Sequence, residues 1–225
     1  MQRTYSSIYA LIMLSIIITV FFLAIMPDQV PMHYNALGQI DRIGSKYENL
    51  VFPLVVFLSG ALFLALARYF RKKNEPENEQ VILRSGIAML VLFNVLFGYF
   101  MWKATSYTPE AELDTTAEGI YQIGSLGLGA ALIALASLMP KTSINSVVGL
   151  RTGWSMKNER VWQRSQRFGG IAMAICGLAV IISGLFIKGV AGMLVGLGLL
   201  LVTALICVLA SYRIYVADKN NHNKP

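Results

Sequence analysis

Long apolar runs alternate with short polar segments along the whole chain. Each run has close to the roughly 20 residues that an α-helix needs to cross the hydrocarbon core of a bilayer. Pro53 lies in the first turn of the second run and Pro140 ends the fourth, which are positions where proline suits a helix. This pattern predicts an all-α polytopic membrane protein with six transmembrane helices. The predicted spans are residues 8–26, 50–67, 81–102, 120–139, 168–187 and 190–212.

The order of the runs predicts two halves with three helices each, residues 1–118 and residues 119–225. Only Lys188 and Gly189 separate the last two runs, so these helices are expected to form a tight antiparallel hairpin. The polar tail from Arg213 is expected to fray. Glycines in the last two runs would let helix backbones approach closely. They are Gly170, Gly177 and Gly184, which repeat every seven residues, and Gly192 with Gly196.

Composition agrees with a membrane protein. The chain is 56% hydrophobic and 14% charged, whereas soluble domains carry about a quarter charged residues. The net charge of +7 does not indicate nucleic-acid binding, because the cations lie at the ends of the apolar runs instead of forming a basic domain. The two cysteines, Cys176 and Cys207, lie within apolar runs and are expected to be packing residues.

The distribution of basic residues predicts the orientation. With the N-terminus inside, most of the 19 lysines and arginines fall on the inner side, as the positive-inside rule requires of short loops. Both termini are therefore predicted to be cytoplasmic. The loop 27–49 is predicted to face outward, and the polar insert 149–168 is predicted to face the cytoplasm.

Several classes of function are disfavoured. No charged residue or histidine lies in the middle of any span, whereas ion-coupled transporters usually keep such a group there. The sequence has no HExxH, GxSxG or phosphate-binding loop, so we expect neither an enzyme nor a cofactor. Asn94 is the one strongly polar side chain at depth and is expected to make a hydrogen bond between helices.

The outer loop carries the first group of candidate site residues. Their oxygen and nitrogen donors have the chemistry to bind a cation or the polar groups of a peptide. Their spacing fits no metal-ligand pattern, and turn formation explains Asn35, Gly38, Asp41 and Gly44 equally well. The candidates for ligand binding are His33, Asn35, Asp41, Arg42 and Lys46.

The insert 149–168 carries the second group. As a helix it would place Lys157, Arg160, Arg164 and Arg167 on one flank, with Trp154 and Trp162 on the neighbouring sector. Such a segment would lie at the membrane surface with its tryptophans among the lipid headgroups. Alternatively it is a connector whose charges keep it out of the bilayer, or a surface for a cytoplasmic protein. The candidate residues are Gly149, Arg151, Trp154, Glu159, Trp162 and Arg167.

Two motifs resemble a known family. The segment NSVVGLRTGWSMKNERVWQRSQRF, which starts at Asn145, is similar to the signature of the SdpI family of bacterial membrane proteins, although Gly153 stands where that family usually has a proline. The outer loop PMHYNALGQIDRIGSK looks like the domain of unknown function that commonly precedes the signature. The ASYRIY ending of the last span also fits.

The resemblance implies a multi-pass protein of the bacterial plasma membrane that confers immunity to a secreted peptide toxin of the sporulation-delaying type. It also implies a second role, holding a cytoplasmic transcriptional repressor at the membrane. The partners that the resemblance implies are the toxin and the repressor, and membrane lipids are the partner that the amphipathic insert predicts. The alternatives are a signalling receptor without immunity activity and a small channel or lipid-handling protein.

Overall fold

The computed structural model describes residues 2–35, 39–107, 116–145 and 147–222. Six long helices in this part of the chain are long and apolar enough to cross a membrane, which confirms the predicted fold class. The helices are α1 (Gln2–Ile25), α2 (Val51–Lys72), α3 (Pro76–Thr105), α4 (Thr116–Leu138), α5 (Glu159–Phe186) and α6 (Gly189–His222). The orientation with both termini inside stays a prediction.

The helices extend beyond the apolar runs that predicted them. Helix α3 begins at Pro76. In the first turn of a helix the N–H groups have no partner within the helix, so the missing N–H of proline costs nothing there. The prediction of a frayed tail from Arg213 is wrong, because α6 continues to His222. Buried Asp218 anchors this polar last part by accepting a hydrogen bond from Asn158 Nδ2 at 3.0 Å.

Helices α1, α2 and α3 pack on one another, as do α4, α5 and α6, and α3 also contacts α4. Ile8, Val56 and Leu83 lie in the buried core shared by the first three helices. Asn94 Nδ2 donates to the carbonyl of Leu11 in α1 at 3.3 Å, so the predicted bond between helices is confirmed. The boundary between the halves at residue 118 stays a prediction.

The glycine repeat of α5 faces α4. A Cβ atom added at Gly177 would lie 2.7 Å from the carbonyl oxygen of Gly129, and one added at Gly170 would lie 2.9 Å from that of Ala136. Both distances are below the contact limit for carbon and oxygen, so glycine is required for this backbone approach. The antiparallel α5–α6 hairpin is also present, and its turn contains Gly189 with φ of +64°.

The outer loop is a β-hairpin, which the turn-rich sequence had not predicted. Strand β1 (Gln29–Tyr34) pairs antiparallel with β2 (Ile40–Ser45). Val30 is fully buried in a cluster with Met26 and Met101, which fastens the hairpin to the ends of α1 and α3. The prediction that Gly38 forms a turn concerns a residue outside the described part of the chain.

Candidate functional site

The connection between α4 and α5 is a folded loop and does not form a surface helix. We define residues 141–158 as the signature loop. Asn145 organises its first turn, since its Oδ1 accepts from the backbone N–H groups of Val147 at 2.8 Å and Val148 at 2.6 Å. Its Nδ2 donates back to the carbonyl of Val148 at 3.1 Å. One asparagine side chain thus satisfies backbone groups that no helix or sheet pairs.

Gln166 of α5 holds the next part of the loop. Its side chain is fully buried, accepts from the N–H of Leu150 at 2.9 Å and donates to the carbonyl of Leu150 at 3.1 Å. Gly149 precedes this contact with φ of +108°, and a Cβ there would lie 2.7 Å from Gln166 Oε1. Gly149 therefore has both a conformational and a steric reason to be glycine.

Trp162 is a buried structural anchor. Its side chain has no exposed surface, and Nε1 donates to the carbonyl of Thr142 at 2.8 Å. The interpretation of Trp162 as an anchor among the lipid headgroups is therefore wrong. The reason is that α5 starts before the apolar run, so its first turns pack against the signature loop and not against the membrane surface.

Trp154 joins the signature loop to α6. Its Nε1 donates to Ser211 Oγ at 2.6 Å, and its ring meets that of Tyr212 edge to face at 5.3 Å. Ser155 is fully buried and donates to the carbonyl of Leu150 at 2.8 Å. The indole N–H of Trp154 is therefore directed into the protein.

Asn158 separates the loop from α5. It is the N-cap residue, and its Oδ1 accepts from the N–H of Val161 at 2.9 Å. Lys157 thus lies outside the helix, so its predicted place on a helical flank with Arg160 is wrong. Arg160 Nη1 approaches Asp218 Oδ1 at 3.7 Å.

The remaining candidate residues of the signature are at the surface. Glu159 accepts from Gln163 Nε2 at 3.0 Å, and within the described ranges it has no arginine within 4.0 Å. Arg151, Arg164 and Arg167 are exposed. The structure therefore separates the signature into buried residues that fix the loop and exposed arginines at one end of the bundle.

The signature loop also contacts the first three helices. Asn145 Nδ2 lies 3.4 Å from Asn78 Oδ1 of α3. The next residue, Glu79, is buried and accepts from Arg71 Nη2 at 2.8 Å and from the Tyr5 hydroxyl at 2.9 Å. Sequence reasoning missed Asn78, Glu79 and Asp218, because their hydrogen-bond partners lie on other elements of the fold.

The hairpin lies at the other end of the bundle. Asn78 and Met101 mark the two ends on α3, and 23 residues of helix at 1.5 Å each separate them by roughly 35 Å. The structure brings the five predicted outer-loop residues close together: His33, Asp41 and Arg42 lie on the strands, Asn35 follows β1, and Lys46 begins the short 3-10 helix Lys46–Leu50 that follows β2. The two groups of candidate residues therefore cannot form one site.

The charges of the hairpin are paired with one another. His33 Nδ1 lies 2.6 Å from Asp41 Oδ1, and Arg42 Nη1 lies 2.8 Å from Glu48 Oε2. Lys46 Nζ lies 3.0 Å from Asp28 Oδ1.

Backbone and phenol groups complete the hairpin. Asn35 Nδ2 donates to Gln39 Oε1 at 3.0 Å, and the Tyr121 hydroxyl donates to the carbonyl of Asn35 at 3.2 Å. Burial raises the pKa of Tyr34, and the nearby phenols of Tyr99 and Tyr107 contribute in the same direction. Tyr34, the last residue of β1, therefore stays neutral.

The described residues include no group of three or more His, Cys, Asp or Glu side chains placed to hold a metal ion.

Comparison with known protein families gives one match that contains the signature loop and another that contains the hairpin. Residues 141–211 match the model of the SdpI/YfhL protein family. Residues 10–57 match a domain of unknown function, DUF1648. The resemblance to the SdpI family is confirmed. The SdpI match starts at the signature loop and ends at Ser211, the residue that binds Trp154.

Two proteins of Bacillus subtilis (strain 168) are similar to the chain. Immunity protein SdpI is 23% identical over 205 residues, which cover 91% of this chain and 92% of the relative. The uncharacterized protein YfhL is 39% identical over 66 residues, which cover 28% of this chain and 60% of the relative. No solved structure matches the chain significantly. The SdpI relationship and the six long apolar helices together identify a multi-pass membrane protein.

Proposed function

We propose that this chain is an immunity protein of the bacterial plasma membrane that protects its cell against a secreted antimicrobial peptide of the sporulation-delaying type. The observation that carries the proposal is the match to Immunity protein SdpI, which extends over 91% of this chain. The match includes both the hairpin and the signature loop, so the comparison supports the whole architecture and not one common motif.

The hairpin is the proposed contact for the peptide. In the orientation that the basic residues predict, it faces the medium from which the peptide arrives. Its side-chain charges are paired locally, whereas Ile43 of β2 is 50% exposed and Tyr47, in the 3-10 helix that follows β2, is 61% exposed. Exposed aromatic and aliphatic side chains on a rigid support are typical centres of a protein interface. A peptide held there is kept from inserting into the bilayer.

A survival assay tests this proposal. Expression of the chain in toxin-sensitive cells should raise survival, and Ile43→Glu combined with Tyr47→Ala should abolish the protection. The matched control is Tyr69→Ala combined with Lys72→Gln, two exposed positions near the end of α2 that lies away from the hairpin; it also lowers the net charge by one. Unchanged killing by several peptides of this type, at membrane levels verified by immunoblot, would contradict the immunity function.

The orientation has its own test. Lys157→Cys places a thiol on the exposed loop, and both native cysteines are buried and free, so background labelling will be low. A membrane-impermeant maleimide should label this variant only after the cells are opened. Gly44→Cys is avoided because Gly44 is crowded by Glu48, and Tyr47→Cys serves as the outward control. Labelling of residue 157 in intact cells would reverse the assigned roles of the two ends.

A second candidate function is signalling through a transcriptional repressor held at the cytoplasmic face. The exposed arginines favour it, since within the described ranges Arg164 and Arg167 have no carboxylate within 4.0 Å, whereas Arg160 approaches Asp218. Arg164→Glu combined with Arg167→Glu should release an acidic or DNA-binding partner while leaving protection intact. The control with the same change of charge is Arg68→Glu combined with Lys72→Glu on α2. Recruitment that survives the first pair would eliminate this role.

A further inference from the structure

An apolar cavity of about 490 Å³ lies beneath the signature loop. Its walls come from α2 to α6 and from residues 147–150 of the loop, so both three-helix groups contribute to it. The volume falls within the roughly 300–1,000 Å³ of small-molecule sites. The side chains that line it include Phe63 of α2, Ile82 of α3, Leu135 of α4, Met173 of α5 and Ala204 of α6.

One polar group in this lining lacks a partner. Ser85 of α3 lines the cavity and is 7% exposed, and its Oγ makes no hydrogen bond to any described residue. A buried hydroxyl without a hydrogen-bond partner destabilises the folded protein. The position of Ser85 therefore points to an occupant that brings a hydrogen-bond acceptor.

The cavity has an open side between α2 and α6. Both helices line it, but α2 packs on α1 and α3, whereas α6 packs on α4 and α5. On the α6 side, Ala204 and Val208 are exposed. Since both helices are candidate membrane spans, the surroundings at this opening are lipid acyl chains.

A cation beside the cavity favours an anionic lipid. Arg151 follows Leu150 of the lining, is exposed, and within the described ranges has no carboxylate within 4.0 Å. A phosphate at the membrane surface would meet this cation while its acyl chain fills the apolar space.

We propose that this cavity binds one acyl chain of an anionic phospholipid, with the Ser85 hydroxyl donating to an ester carbonyl and Arg151 facing the phosphate. The lipid would fill the gap between the two groups of helices directly beneath the signature loop. This role is independent of peptide binding and of immunity.

Native mass spectrometry of the purified full-length protein, released from nanodiscs, tests the proposal. In equal mixtures of phosphatidylglycerol and phosphatidylcholine, the wild type should retain one phosphatidylglycerol. Ala204→Trp, which fills the open side, should reduce this retention at least tenfold. The matched control is Leu205→Trp, because Leu205 is the next residue on α6, is 60% exposed and does not line the cavity.

A second measurement locates the lipid. Phosphatidylglycerol with a photoreactive group on its acyl chain should crosslink to peptides that contain residues 203–208 in the wild type and in Leu205→Trp, but not in Ala204→Trp. Ser85→Ala should fold normally and retain several-fold less lipid. Equal retention in the two tryptophan variants would overturn the proposal, as would equal retention of both lipids. Loss of toxin binding in Ala204→Trp with lipid retention unchanged would assign the cavity to the peptide instead.

Discussion

The two ends of the bundle use polar residues in different ways. At the hairpin end, polar side chains on the two strands are exposed and bind partners close in sequence, as His33 does with Asp41. At the signature end, the polar groups bind across elements at buried partners, as Trp154 does with the buried Ser211 of α6. The hairpin is therefore a locally determined attachment, whereas the signature loop holds helices together. Substitutions of the same residue type at the two ends should differ strongly in their cost.

The largest difference is expected for tryptophan. Trp162→Ala should lower the free energy of unfolding by about 3–5 kcal/mol, because it removes a fully buried ring and leaves the carbonyl of Thr142 with one donor fewer. Trp102→Ala at the hairpin end should cost less than about 1 kcal/mol, since Trp102 is 54% exposed. Denaturation of the detergent-solubilised variants measures both. Equal costs would contradict the contrast between the ends.

Glutamine offers a second matched pair. Gln166→Leu should cost about 1–3 kcal/mol, because it leaves the N–H of Leu150 without its acceptor and removes one of the two donors to the Leu150 carbonyl. Gln39→Leu in the hairpin should change stability by no more than about 0.5 kcal/mol, since its side chain is exposed. The same denaturation assay compares them. A Gln166→Leu variant as stable as the wild type would show that the loop does not depend on this contact.

A double-mutant cycle on Trp154 and Ser211 should give a coupling energy smaller than the cost of replacing Trp162 or Gln166. Trp154→Phe and Ser211→Ala each remove the bond from Nε1 to Oγ, so the coupling energy between them should be about 0.5–1.5 kcal/mol. The control cycle combines Trp154→Phe with Thr203→Ala, a distant position on the same helix. Additive costs for Trp154 and Ser211 would mean that the bond does not connect the loop to α6.

The smallest effect is expected from the hairpin charges. Arg42→Met removes a pair whose side chains are 54% and 39% exposed, and such pairs contribute at most about 1 kcal/mol. The variant should therefore unfold almost as the wild type does, and the difference should shrink further in 0.5 M salt because surface charges are screened. A large, salt-independent loss would show that the hairpin charges are structural.

The apolar pattern was sufficient to predict the six helices and the places where they turn. Length and hydrophobicity decide whether a segment crosses a bilayer, and both can be counted along the chain. The pattern could not show that Trp162 is buried, because its neighbours Arg160 and Arg164 resemble a surface helix. The contact that buries Trp162 comes from Thr142, twenty residues earlier in the chain.

The sequence by itself determined the membrane class, the number of spans and the resemblance carried by the two motifs, because these depend on local composition and order. Only the tertiary structure decided that the outer loop is a β-hairpin and that the signature loop is a folded segment whose contacts hold helices together. It also decided that a cavity lies between the helix groups. The physical reason is that burial and hydrogen bonding of Asn145, Trp154 and Asp218 depend on partners in other helices, and their distance in sequence hides those partners from any local pattern.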